Sequence, residues 1–165
     1  MMGLIIGKQG IPMFKVGYPT VSDKYNITGG TLTGDTAVKF GDLVKFSATK
    51  GYYEAIKTTV ALADIAGFVL ATNVKLATEW PAIDESVKVL PGEAFNLVLP
   101  GSYLAIELDA TAVETDVKAN AQVYAIPATG KCTTVSTSNI ALPDVVFTGM
   151  VEKHGEALVA EIYVK

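Results

Sequence analysis

The C-terminal stretch Leu158-Val159-Ala160-Glu161-Ile162-Tyr163-Val164 carries the clearest strand pattern in the chain. One set of alternate positions holds the larger apolar side chains, and Phe95-Asn96-Leu97-Val98-Leu99 repeats this pattern. Successive side chains of a β-strand point to opposite faces, so each stretch has one face suited to a core. Both stretches are therefore predicted to be strands of a sheet with a buried face.

Many other short runs are rich in Val, Ile, Thr, Tyr and Phe and are bounded by Gly or Pro. Such runs are typical of strands. The predicted strands are residues 38–46, 50–56, 67–74, 87–89, 94–99, 104–108, 122–126, 131–136, 145–151 and 157–164. Their spacing of about 8–12 residues predicts an all-β fold, a small β-barrel or sandwich of short antiparallel strands. Only residues 59–66 and 110–121 have a pattern that would allow one or two short helical turns.

Residues 1–37 differ from the rest, because Gly is frequent, Pro12 and Pro19 disfavour helix, and apolar residues are irregularly spaced. We interpret them as an extended N-terminal arm that precedes a β-barrel domain at residues 38–165. Apolar side chains on such an arm favour a docking surface, on this chain or on another. An exposed tryptophan in a Pro-containing loop is also suited to a protein interface. The predicted partner-binding residues are Ile5, Ile6, Ile11, Met13, Phe14, Val16, Tyr18 and Trp80.

A weak internal repeat relates residues 41–101 to residues 120–165. Each unit is predicted to contain a Gly hairpin, a strand that opens at Gly, a Gly-Glu-Ala turn and a final strand. The matching positions are Val44 with Val123, Gly51 with Gly130, Gly67-Phe68-Val69 with Gly149-Met150-Val151, and Gly92-Glu93-Ala94-Phe95 with Gly155-Glu156-Ala157-Leu158. The first unit has an insertion that contains Trp80-Pro81.

The charge balance argues against a polyphosphate partner, since 13 basic and 17 acidic residues give a net charge of −4. No apolar run approaches the roughly 20 residues that a membrane-spanning helix needs. The apolar start at residues 1–6 is too short for a secretory signal. We therefore expect no nucleic acid partner, no membrane association, and synthesis in a reducing cytoplasm.

No set of residues predicts catalysis. His154 is the only histidine and Cys132 the only cysteine, and neither has a sequence neighbour that would activate it. Residues 29–34 have the glycine spacing of a phosphate loop, but Asp35-Thr36 stands where Lys-Ser or Lys-Thr is required. Carboxylates at 107, 109, 114 and 116 lack the Asp-x-Asp-x-Asp-Gly pattern of a calcium loop. We expect a protein that is not an enzyme and has no cofactor or metal.

In order and spacing, the segments Gly41-Asp42-Leu43-Val44-Lys45-Phe46, Ala66-Gly67-Phe68-Val69-Leu70 and Pro91 to Gly101, with their matches in the second half, resemble the capsid decoration, or cement, proteins of tailed bacteriophages. The resemblance covers roughly residues 38–164. It implies a structural virion protein on the capsid surface that binds the major capsid protein, and bridges and stabilises its subunits. It also allows contacts with further copies of itself, as a trimer or as neighbours. Residues 71–90 and the nearly forty-residue N-terminal lead are longer than is usual in this group.

Two other functions stay open at the level of sequence. A phage tail or connector component would use similar turns in a similar barrel. A carbohydrate-binding β-sandwich could use Trp80, Tyr52 and Tyr53 as a stacking platform. The first would occur in few copies per virion and the second would bind sugars, so copy number and a sugar titration separate them from a decoration protein.

Overall fold

The computed structural model describes residues 16–21, 26–70 and 88–165. The strands are β1 (Asn26–Thr33), β2 (Val38–Lys39), β3 (Leu43–Phe46), β4 (Tyr52–Ala55), β5 (Ile65–Leu70), β6 (Lys88–Val89), β7 (Ala94–Leu99), β8 (Ser102–Glu107), β9 (Gln122–Ala125), β10 (Cys132–Thr133), β11 (Ile140–His154) and β12 (Ala157–Val164). Two single 3-10 turns, Leu62–Asp64 and Glu114–Asp116, lie within the two segments predicted to turn. The all-β prediction is confirmed.

The first barrel is closed by five strands in the order β1-β4-β3-β5-β7. β1 pairs with β4 in parallel and with β7 antiparallel, and the antiparallel pairing closes the ring. Alternate side chains of these strands point inward, as expected from the strand period. They form a buried apolar cluster that includes Leu32, Val44, Val69, Phe95 and Leu97. The short pair of β2 and β6 forms a separate ribbon.

The second sheet has five strands in the order β10-β9-β11-β12-β8. A parallel bridge joins Leu108 to Cys132, and the Asp109 N–H donates to the Cys132 carbonyl at 2.7 Å. The two edge strands, β8 and β10, are thus brought together just beyond the end of β8. Phe147 and Ile162, both fully buried, belong to an apolar cluster that also includes residues of the first barrel.

Strand order and pairing are equivalent in the first barrel and the second sheet. β3, β4, β5 and β7 correspond to β9, β10, β11 and β12, while β1 and β8 lie beside the last strand of each set. Registers coincide at the positions matched in the sequence: Phe46 with Tyr53 and Ala125 with Cys132 in the hairpins, Val69 with Leu97 and Val151 with Ala160 in the next ladder. The division into two repeat units at residues 41–101 and 120–165 stays a prediction.

One part of the predicted arm belongs to the first barrel. Residues 26–33 lie within the predicted arm, but they form β1, and residues 26–31 pair with six consecutive residues of β7. The first four residues of β1 are exposed and only Leu32 is fully buried, so the strand lacks the apolar alternation that marks the others. Backbone pairing with distant residues, and not a local apolar pattern, makes this segment a strand.

The predicted strand at residues 38–46 is interrupted. Gly41 has a φ of 85°, a left-handed conformation that glycine adopts without steric cost. The chain turns there, which separates β2 from β3 and lets the two strands join different sheets. A glycine inside an otherwise apolar run was the available signal for this break.

Candidate interaction surfaces

The described residues at the N-terminal end of the chain extend the edge of the second sheet. Pro19 forms an antiparallel bridge with Leu104 of β8. The Gly17 N–H donates to the Ala105 carbonyl at 2.8 Å, and the Ala105 N–H donates to the Tyr18 carbonyl at 3.1 Å. Residues 17–20 therefore behave as a short added strand, a mode in which main-chain hydrogen bonds supply the contact.

Two glycines allow this added strand to lie against the chain beside it. A Cβ on Gly17, whose φ is 79°, would lie 2.2 Å from the Cβ of Phe40. A Cβ on Gly41 would lie 2.9 Å from the Val16 side chain. Any other residue at either position would force the two segments apart, so the close approach depends on both glycines.

Two of the eight predicted partner-binding residues are described, and both contact their own chain. Val16 packs against buried Ala105 and Val159. Tyr18 packs against the core of the first barrel, and burial raises the pKa of its hydroxyl. The others, Ile5, Ile6, Ile11, Met13, Phe14 and Trp80, lie outside the described residues. A partner-binding role for all eight stays a prediction.

An ion cluster connects the first barrel to the second sheet. The Lys131 Nζ lies 3.5 Å from Asp42 Oδ1 and 3.4 Å from Glu107 Oε1. Asp42 Oδ2 also accepts the Lys39 N–H at 3.0 Å, which holds the turn at Gly41. Lys131 thus lies between two carboxylates from distant parts of the chain. Its position depends on the segments that carry Asp42, Glu107 and Lys131 itself.

Burial and the neighbouring charges shift the pKa values of Asp42 and Lys131 in opposite directions. Burial raises the pKa of the Asp42 carboxyl, and this effect exceeds the lowering by the nearby Lys131 ammonium. Burial lowers the pKa of Lys131, but the Asp42 and Glu107 carboxylates outweigh it, so the pKa is raised. Lys131 therefore remains charged at neutral pH, as an ammonium between two carboxylates is expected to be. The sequence offered no signal for this cluster, because Asp42 and Lys131 are far apart in the chain.

Exposed large apolar side chains occur on both halves of the protein. Ile27, Phe46, Tyr52 and Leu90 are exposed in or beside the first barrel, and Val113 and Met150 in or beside the second sheet. Phe46 has 55% of its surface exposed and lies on the β3–β4 hairpin with Tyr52. Exposed aromatic and aliphatic groups of this kind are common at protein interfaces.

Tyr52 and Tyr53, considered above as part of a stacking platform for sugars, do not form one surface. Tyr53 is only 8% exposed, and its ring packs edge-on against Phe95 with the centroids 5.6 Å apart. Tyr52, the next residue along the strand, points to the opposite side and is exposed. Adjacent strand residues cannot share a face, so the two tyrosines cannot stack on one ligand.

The two groups considered for nucleophilic or acid-base chemistry occupy structural positions. Cys132 is buried, and burial strongly raises the pKa of its thiol, so it is not a thiolate at neutral pH. His154 Nε2 lies 2.6 Å from Glu152 Oε1 at the end of β11. Within residues 16–21, 26–70 and 88–165, no three His, Cys, Asp or Glu side chains are placed to hold a metal ion. The helical turns of these residues are too short and too polar to span a membrane.

A family model described as XM1 gp53 minor capsid protein matches residues 8–161. The match spans most of the chain, including the first barrel and nearly all of the second sheet. No curated protein matches the sequence.

Proposed function

We propose a role at the capsid surface from the premise that this chain belongs to the XM1 gp53 minor capsid protein family. Membership makes it a phage structural protein that associates with the capsid and is located in the virion. The more specific proposal is that it binds the outer surface of the capsid, contacts the major capsid protein, and bridges and stabilises neighbouring subunits. The family match is the observation that carries this proposal.

The arrangement of the fold supports a bridging role. A protein that bridges two subunits needs two contact surfaces held at a defined separation. The first barrel and the second sheet share one apolar cluster, in which Leu43 and Phe68 from one lie with Phe147 and Ile162 from the other. Each half also has exposed apolar side chains of its own. Two contacts on one rigid support gain avidity from effective concentration without either being strong alone.

The test compares apolar surface variants of the two halves on capsids that lack the protein. Phe46→Ser with Tyr52→Ser alters the first barrel, and Val113→Ser with Met150→Ser alters the second sheet. Lys50→Ala, on the same hairpin as Phe46 and also exposed, is the matched control. We expect both double variants to bind purified heads at least tenfold more weakly, about 1.4 kcal/mol or more. We also expect wild-type protein to raise the temperature at which heads release DNA.

Three results would count against this proposal. Loss of binding from only one double variant would mean contact with a single subunit and no bridging. Binding without any change in head stability would remove the stabilising role. Association with tails and not with heads would favour the tail or connector alternative. A thermal melt of each variant establishes that it is folded before binding is compared.

A further inference from the structure

Within the described part of the chain, the edge of β1 that faces β4 has no partner strand over its first half. The Thr31 N–H donates to the Gly51 carbonyl on the β4 side at 3.1 Å. In an antiparallel ladder, alternate residues direct both backbone groups to the same side. Ile27 and Gly29 therefore direct their N–H and C=O groups to the β4 side, but β4 pairs only with residues 31–33. Among the described residues no strand reaches these four groups, and Ile27 is 41% exposed.

The equivalent edge of the second sheet is occupied. Ile27 lies opposite Val98, and Ala105 lies opposite Glu161. Val98 and Glu161 hold the same place when the two Gly-Glu-Ala turns are aligned. Ala105 uses both outward backbone groups to bind the added strand, accepting from Gly17 and donating to Tyr18. The fold thus contains one filled and one unfilled version of the same strand-addition edge.

The unfilled edge suits an extended peptide. Residues 26–29 are exposed, and a Cβ on Gly29 would meet no atom within 4 Å, so the sheet face beside this edge is open among the described residues. An edge with free N–H and C=O groups is a template for pairing with another chain. Main-chain hydrogen bonds to these groups would supply most of the contact with such a chain.

The chain itself supplies a suitable segment. Residues 17–20 already fill the edge of β8, and residues 1–15 precede them with the apolar run Leu4-Ile5-Ile6, in which both isoleucines are β-branched. Fifteen extended residues span roughly 50 Å, enough to reach a neighbouring molecule. We propose that the unpaired edge of β1 accepts residues from the 1–15 segment of a second copy of this chain as an added strand. This inference concerns contacts between copies and is independent of the capsid contact proposed above.

Disulfide trapping in the full-length chain tests the geometry. Gly29→Cys labels the edge, and Ile5→Cys, Ile6→Cys and Ile11→Cys label the segment in three separate proteins. Cys132 is buried and its thiol stays protonated, so it does not interfere. Each segment variant is mixed with Gly29→Cys under mild oxidation. We expect at least one mixture to form a crosslinked dimer that neither protein forms alone.

A second measurement tests the hydrogen bonds. Ile27→Pro removes an outward N–H and keeps the bonds to β7, because proline is tolerated where a strand N–H faces away from its partner. Ile27→Thr keeps the N–H and the β-branched shape and serves as the control. Sedimentation of the full chain should show self-association about tenfold weaker for Ile27→Pro and close to wild type for Ile27→Thr.

Several outcomes would overturn the inference. Crosslinked dimers of Gly29→Cys alone would indicate pairing of two β1 edges. A monomeric wild-type protein whose head binding is lost in Ile27→Pro would place a capsid subunit on this edge. Absence of every mixed crosslink would exclude the 1–15 segment as its occupant, including when Ile27→Pro fails to fold.

Discussion

The first barrel and the second sheet fill equivalent parts of their cores with side chains of different sizes. In the first barrel, the rings of Tyr53 and Phe95 pack edge to face over Gly30. A Cβ on Gly30 would lie 2.3 Å from the Tyr53 ring, so the aromatic pair requires a residue without a side chain there. One very small residue and two large ones thus occupy this part of the core.

Medium-sized residues fill the equivalent place in the second sheet. Leu108, Leu158 and Cys132 correspond to Gly30, Phe95 and Tyr53 in the aligned registers. Leu108 donates its N–H to the Leu158 carbonyl at 2.8 Å and bridges to Cys132. The side-chain volume is distributed differently over the three positions, while the backbone pairing of the strands is the same. At this site the fold therefore constrains the sum of the side-chain volumes more than their individual sizes.

The largest expected effect comes from the apolar cluster that the two halves share. Phe147→Ala should lower the free energy of unfolding by about 3–5 kcal/mol, because Phe147 is fully buried. Phe46→Ala, at an exposed phenylalanine, should cost less than about 1 kcal/mol. Urea unfolding measures both. Hydrogen exchange should show that Phe147→Ala reduces protection in β7 as well as in β12, and unchanged protection in β7 would mean that the two halves unfold independently.

A smaller effect is expected at Gly30 and Tyr53, where the side chains in the core of the first barrel differ in size from those in the second sheet. Gly30→Ala should cost about 1–3 kcal/mol, since the new methyl group must displace the Tyr53 ring. Gly30→Leu combined with Tyr53→Cys transfers two of the three residue types found in the second sheet to the first barrel. The double variant should be more stable than the sum of its single variants predicts, by about 0.5–3 kcal/mol. Additive costs in a thermodynamic cycle would refute the idea of exchangeable packing.

The smallest of these effects should arise at the ion cluster between the halves. Lys131→Met leaves the Asp42 and Glu107 carboxylates without their shared cation and should cost about 1–2 kcal/mol. Lys153→Met breaks an ion pair with Glu114 that is largely exposed, and should cost at most about 1 kcal/mol. Denaturant unfolding at low and high salt compares them. Equal costs for the two variants would mean that partial burial adds nothing to the contact at Lys131.

Strands with a strong local pattern were predictable from the sequence. β7 and β12 begin and end where the alternation and the flanking turns placed them, because each has a nearly continuous apolar face. The two 3-10 turns also lie in the segments singled out for their spacing. β1 was not predictable in this way. Its Gly29-Gly30 pair has no strand preference, and Gly30 is required only because Tyr53 lies over it.

The same distinction between local sequence pattern and contacts with distant residues applies to the interaction surfaces. Val16 and Tyr18 are predicted to dock on a surface of this chain or of another, because apolar side chains on an irregular segment are poorly accommodated by water. That the surface in question includes β8 of the same chain depends on backbone bonds between residues 17–20 and residues 103–105. The sequence contains no sign of these bonds, since any extended segment has the same N–H and C=O groups.

The sequence alone was sufficient to predict the all-β class and the positions of the strongest strands. It also showed the matched turns of the predicted repeat and contained no recognisable catalytic set. Those features depend on side-chain type and on spacings of a few residues. Only the tertiary structure established the closure of the first barrel, the Asp42, Lys131 and Glu107 cluster and the unpaired edge of β1. Each of these joins residues far apart in the chain through backbone groups or charges common to many positions, so their pairing is decided by the folded geometry as a whole.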